Sequence, residues 1–202
     1  MDEYTTVNQS ISIRRVIERS RFLAHVKEVE SEEQARQFIN AIKEEHRQAT
    51  HNCSAYVLGI SPHVTTYSDD DGEPSGTAGK PILGAILKQE LTNVAVVVTR
   101  YFGGKKLGIR GLIDAYGGVA EEALVAAGRK QKILETLISL TCSYDQVNRV
   151  MYLVDKYQAR VVESSYTDKA AMVLSIRRSL AEELRGALAP YVELDREIEK
   201  QK

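Results

Sequence analysis

From Arg100 to Gly111 the chain reads Arg-Tyr-Phe-Gly-Gly-Lys-Lys-Leu-Gly-Ile-Arg-Gly, a stretch with four cations and four glycines. Glycines let backbone N–H groups approach a ligand, and cations beside such donors make a place for an anion. Arg100 and Arg110 offer planar forks that match phosphate, while Lys105 and Lys106 supply point charges. Tyr101 and Phe102 are aromatic faces on which a base can stack. With Lys80 and His51, these residues form the candidate anion or nucleic-acid site. The same pattern also fits a solvated glycine-rich turn whose aromatics belong to the core.

A second dense stretch, Ser68-Asp-Asp-Asp-Gly-Glu-Pro-Ser-Gly-Thr-Ala-Gly-Lys80, carries four carboxylates. It is not a Walker loop: Pro74 stands where its first glycine is needed, and Pro81 follows Lys80 where a hydroxyl must meet Mg²⁺. It is not an EF-hand, because the acids are consecutive. A water-rich Mg²⁺ site needs only one or two carboxylates, so Asp69, Asp70 and Glu73 remain open as a metal-binding acidic loop. The competing reading has Asp69 to Asp71 capping turns or pairing with the cations of the basic loop, which would couple the two loops into one surface.

His51 and Cys53 are two apart and share a strand face, the arrangement of a thiol with a neighbouring base. Cys53 is followed by alternating Ala55 and Val57, however, which reads as a small core residue. The histidines and Cys53 fit no zinc spacing, and there is no nucleophile elbow, dinucleotide fingerprint or HExxH. No catalytic residue and no metal ligand is therefore assigned, and no cofactor is expected beyond the Mg²⁺ just considered.

The elements that must position these residues follow from periodicity. Tyr4 to Val29 reads as two strands. Ser31-Glu-Glu-Gln34 is a capping box opening a helix to about Arg47, with Ala35, Phe38, Ile39 and Ile42 on one stripe. Cys53–Ile60 and Val64–Tyr67 form a hairpin, and Pro81 suits the first turn of a helix buried through Ile82, Leu83, Ile86 and Leu87. Val94–Thr99 is a continuous apolar run, the pattern of a strand covered on both faces. It leads through the basic loop to a helix ending at Gly128, whose interior Gly117-Gly118 suggests close packing. From about Gln131 the pattern restarts: a strand to Cys142, capping boxes at Ser143-Tyr-Asp-Gln146 and Ser179-Leu-Ala-Glu182, and a last strand over Tyr191–Ile198. The order βαββαβ is that of a ferredoxin-like fold. The class is α+β, with domains at 1–130 and 131–202.

A chain of 202 residues, 43% hydrophobic and 27% charged, can bury a core, which excludes disorder as the main state. Its net charge of −1 leaves no bulk basic field, so any nucleic-acid role must rest on a local patch. Two cysteines fit a reducing compartment, and no apolar run is long enough to span a bilayer, so a cytoplasmic, non-membrane protein is expected.

His51-Asn-Cys53, the acidic stretch through Ile82, and Thr99-Arg-Tyr-Phe-Gly-Gly-Lys-Lys-Leu-Gly108 together resemble the signature stretches of the YigZ/IMPACT family, across essentially the whole chain. Ile109-Arg110 departs from the family pattern, which has small or polar residues there. The resemblance implies an N-terminal fold like domain 2 of ribosomal protein S5 and a C-terminal fold like the ferredoxin-type domains of elongation factor G. It also implies a link to the regulation of translation, since the eukaryotic relative acts without catalysis by binding a scaffold protein. The leading expectation is a non-enzymatic protein that docks RNA or a ribosomal surface through the basic loop. The alternatives are a Mg²⁺-dependent phosphoryl-transfer or hydrolytic enzyme using the acidic loop, and a protein-docking module. The oligomeric state is left open.

Overall fold

The structure, a computed structural model, describes residues 2–194. The chain divides into two compact units, one spanning Tyr4–Lys132 and the other Ile133 onward with the residues before Tyr4.

The first unit is built on five antiparallel strands in the order β2(Ile11–Ile17), β3(Ser20–Glu28), β6(Val94–Tyr101), β4(His51–Ile60), β5(His63–Asp69). Three helices cover this sheet: α1(Glu32–Glu45), α2(Gly79–Lys88) and α3(Gly108–Ala127). Alternation along β6 assigns the faces. Val94, Val96 and Val98 pack with α2 and α3, whereas Ala95 and Val97 pack with α1. All five are fully buried, which explains the unbroken apolar run, and each valine contributes about 1.5–3 kcal/mol.

The N-terminal stretch holds three strands where two were expected: β1(Glu3–Val7), β2 and β3. The β2–β3 turn is Glu18-Arg19, both at positive φ (46° and 69°), as a two-residue primed hairpin requires. No Asn or Gly marks it, so the sequence hid it. β1 pairs with β7(Arg129–Ile133) as a separate two-stranded ribbon, so the single strand expected from Gln131 to Cys142 is broken at Leu134.

Ser31 caps α1 as expected, accepting from the Gln34 N–H at 3.2 Å, while the Gln34 side chain accepts from the Glu30 N–H at 3.0 Å. Gly79 opens α2 with its Cα so near the Asp69 backbone that a Cβ would lie 2.7 Å from it, so only glycine fits. In α3, a Cβ at Gly117 would make only ordinary contact with Pro81, at 3.5 Å, and one at Gly118 would meet nothing, so close packing accounts for neither glycine.

The second unit carries β8(Glu135–Cys142), α4(Val147–Lys156), β9(Arg160–Tyr166), β10(Ala170–Arg177), α5(Ala181–Leu188) and β11(Glu193–Leu194). Its antiparallel sheet order β11-β8-β10-β9 is the ferredoxin-like arrangement. Ile138, Leu140, Met172 and Leu174 bury one face with α4 and α5. The two capping boxes expected here do not form. Ser143 precedes a 3-10 turn without a side-chain cap bond, and Ser179 lies inside another, Arg178–Leu180, and donates its hydroxyl to Asp2. The last expected strand is seen at Glu193–Leu194, and its remainder lies outside the described residues.

Candidate functional site

On the α2/α3 face the strand register places Phe22, Arg100 and His51 in one row, Arg100 being directly opposite Phe22 on β3 and His51 on β4. Arg100 shares its parity with the core valines of β6 and is therefore carried inward, to 5% exposure. Its guanidinium lies 5.5 Å from the rings of both Phe22 and Phe102. A charge so placed needs an ionic partner, and the loop after β5 supplies Glu73, itself 8% exposed, at 2.6 Å. The same Glu73 oxygen accepts from the Tyr116 hydroxyl at 2.9 Å, and His51 Nε2 lies 3.8 Å away. His51 Nδ1 is 2.9 Å from the Asp71 carbonyl, which can only accept, so Nδ1 is the donor in that contact. Arg100 is thus not the open phosphate fork expected from sequence: its charge is balanced internally, with only Nε lacking a hydrogen-bond partner.

Cys53 lies beneath this network and donates to the Asp70 carbonyl at 3.0 Å. Burial pushes its thiol up to about 12, the nearby carboxylates adding to the effect and Tyr116 opposing it. Burial, with Cys53 and Glu73, also pushes Tyr116 well above the usual phenol range, so it remains a donor. Cys142 is buried as well and its thiol is likewise raised, chiefly by burial. Both thiols are therefore expected to resist iodoacetamide in the folded protein at pH 8 and to react once denaturant unfolds it. Fast native alkylation of Cys53, read by mass spectrometry, would contradict its placement.

The acidic loop is held mostly by its own backbone. Asp70 accepts from the N–H groups of Gly76 (2.7 Å), Ala78 (3.0 Å) and Gly79 (2.8 Å), tying the loop to the start of α2. Burial alone would raise its pKa, but these bonds and the Lys80 charge together hold it below the usual carboxylate value. Asp69 and Asp71 share Lys43 of α1, at 3.2 and 2.7 Å. The carboxylates of Asp69, Asp70 and Glu73 thus turn to separate partners, and among the described residues no group of three or more His, Cys, Asp or Glu is arranged to hold a metal. The coupling between the acidic and basic loops does exist, but it runs through Glu73 and Arg100.

The remaining residues of the basic stretch separate. Tyr101 has the opposite parity to Arg100 and lies on the α1 side, where its hydroxyl meets His46 Nδ1 at 3.0 Å and Arg21 covers its ring. Lys105 pairs with Glu18 at the tip of the β2–β3 hairpin. Because α3 begins at Gly108, earlier than expected, Ile109 and Arg110 occupy its first turn. The Arg110 side chain is 89% exposed and reaches Asp114 at 3.4 Å, and Lys80 is exposed at the start of α2. Arg19 on the hairpin tip was missed by sequence reasoning. Its backbone oxygen would lie 1.9 Å from a Cβ at Gly103, so Gly103 lets the hairpin seat directly on the basic loop. The signal was present in Arg14-Arg-Val-Ile-Glu-Arg-Ser-Arg21, where four arginines fall in eight residues.

At the junction of β6, the acidic loop and α3 is an open cavity of about 460 Å³. His51, Glu73 and Arg100 form its charged floor, Phe102, Ile109 and Leu112 its apolar wall, and Lys106 stands at its edge. Phe102 and Ile109 are large apolar side chains left 46% and 67% exposed beside these charges.

Residues 18–124 match the model of the Impact N-terminal domain, and residues 140–189 match a domain of unknown function, DUF1949. The IMPACT family member YvyE of Bacillus subtilis is 40% identical over 168 residues, covering 83% of this chain and 77% of the relative. The chain belongs to the IMPACT family. The Escherichia coli IMPACT family member YigZ is similar over 93% of this chain and 97% of its own, at 31% identity. A crystal structure of a hypothetical protein aligns over 100% of both chains with a TM-score of 0.72 and 29% identity. Every cavity residue named above falls within the Impact N-terminal domain match. Among the described residues of this IMPACT-family chain, no helix is long and apolar enough to cross a membrane.

Proposed function

We propose that this IMPACT-family protein is a cytoplasmic, non-enzymatic binding protein linked to translation, which docks structured RNA, including that of the ribosome, through the surface made by the basic loop and the β2–β3 hairpin. The observation that carries this reading is the set of exposed cations on the basic loop, the hairpin tip and the first turn of α3. Arg19 and Lys106 are exposed and, among the described residues, have no carboxylate within ion-pair distance. Lys105 and Arg110 flank them on partners that are themselves exposed, and such surface pairs exchange readily for phosphate. In a molecule of net charge −1 this local concentration favours a polyanion here. The raised thiol of Cys53 and the internally engaged carboxylates favour binding over catalysis.

The test is titration of a fluorescently labelled structured RNA at several salt concentrations, comparing the native chain with Arg19→Glu plus Lys106→Glu. Both side chains are exposed, so folding should be unaffected. Binding should weaken across RNA sequences, with a salt slope shallower by about 1 per lost phosphate contact. Unchanged affinity and slope would reject this surface. Capture of a partner that survives nuclease treatment would instead favour protein docking.

A further inference from the structure

We infer that the 460 Å³ cavity receives a single unstacked nucleotide, its base against Phe102 and Ile109 and its phosphate at Lys106 and the start of α3. The inference deepens the docking reading and rests on it: the exposed cations of the basic loop and hairpin gather the strand, and the cavity takes one residue of it. The volume falls within the roughly 300–1,000 Å³ of small-ligand sites and would enclose one base with its sugar.

The wall and the edge point to different halves of such a ligand. Phe102 presents an aromatic ring at 46% exposure beside Ile109 at 67%, a pair that water solvates poorly and a flat apolar ring would cover. The Phe102 backbone is anchored, its N–H donating to Thr50 Oγ1 at 3.0 Å, and its ring lies 5.5 Å from the Arg100 guanidinium. At the other side α3, twenty residues long, opens on Gly108 with no side-chain cap and no acidic residue in its first turn, leaving its first N–H groups for an acceptor. Arg100 also lines the cavity, its terminal nitrogens held by Glu73 and Ser20, so its guanidinium sets the polarity of the floor. His51, whose Nδ1 is engaged by the Asp71 carbonyl, also lines the floor and offers Nε2 to the edge of a base.

The experiment is calorimetric titration of the full chain with AMP, UMP and inorganic phosphate separately, alongside a labelled single-stranded oligouridine, for the native protein and Phe102→Ala. Mononucleotides should bind more tightly than phosphate alone, and Phe102→Ala should weaken both mononucleotide and oligonucleotide by about 5- to 150-fold, the range of base–aromatic stacking, with the oligonucleotide salt slope unchanged. Ile109→Ser should give a smaller loss in the same direction. If mononucleotides bind no better than phosphate, or Phe102→Ala is silent while the oligonucleotide binds with its normal salt slope, the nucleotide pocket is overturned and the docking surface stands. If mononucleotides bind and respond to Phe102→Ala but no RNA binds, the cavity serves a free nucleotide and the docking reading is what fails.

Discussion

Glu73→Ala is expected to destabilise the first unit by about 3–5 kcal/mol, the usual cost of removing one partner from a buried ion pair. The size comes from what is left behind. The Arg100 guanidinium is 5% exposed and would face the rings of Phe22 and Phe102 with no counter-charge. The Tyr116 hydroxyl, fully buried with its ring edge-on to Phe22 at 5.3 Å, would lose its acceptor as well. Removing both charges avoids that penalty, so Glu73→Leu with Arg100→Met should unfold much closer to the native protein in urea than either single change does. Equal and additive losses in the double-mutant cycle would show that the two groups are not coupled as the 2.6 Å contact requires. The outcome also bears on function, because a Glu73 that served mainly as an exposed metal ligand would leave stability nearly unchanged when replaced.

Asp70→Ala is expected to cost about 2–3 kcal/mol, through loss of the charge-assisted bonds that fix the acidic loop and the first turn of α2. Three backbone N–H groups converge on that carboxylate, and α2 has no other side-chain cap. The pH dependence follows from the lowered pKa. A carboxyl held below its unfolded value of about 3.9 contributes stability that is complete above that pH and is lost as pH falls through the folded value. The gap between native and variant urea midpoints should therefore be constant near neutrality and narrow below about pH 4. Asp70→Asn, which keeps one acceptor oxygen, should retain part of the stability. A gap that persists unchanged at pH 2 would mean that the ionised carboxylate is not what holds the loop.

Local pattern carried much of the fold. The period-two alternation of β4 and β6 placed Cys53, Ala55 and Val57 in the core, and the run from Val94 to Thr99 fixed the strand covered on both sides. The helical stripe after Ser31 and the βαββαβ order after Leu134 were legible for the same reason: repeats of 3.6 and 2 are written in consecutive residues. Where the sequence misled, the deciding partner was distant. Ser179 has the spacing of a capping box, yet its hydroxyl goes to Asp2, a residue 177 positions away. The β2–β3 turn relies on positive φ at Glu18 and Arg19, which tertiary pairing of the strands imposes without any local glycine.

The candidate site divides along the same line. The sequence by itself determined that a loop rich in cation and glycine joins a buried strand to a helix, that an acidic loop precedes another helix, and that His51 and Arg100 are chemically apt. Only the tertiary structure decided that strand register sets His51, Arg100 and Phe22 in one row, that Glu73 neutralises Arg100 from above, and that Tyr101 falls on the opposite face. It also brought the Arg19 hairpin onto Gly103 and left Lys106 and Phe102 at the mouth of a cavity. The physical reason is that a side chain's direction follows from its place in its own strand or helix, whereas the partner of a charge depends on which remote segment the packed fold brings within a few ångströms.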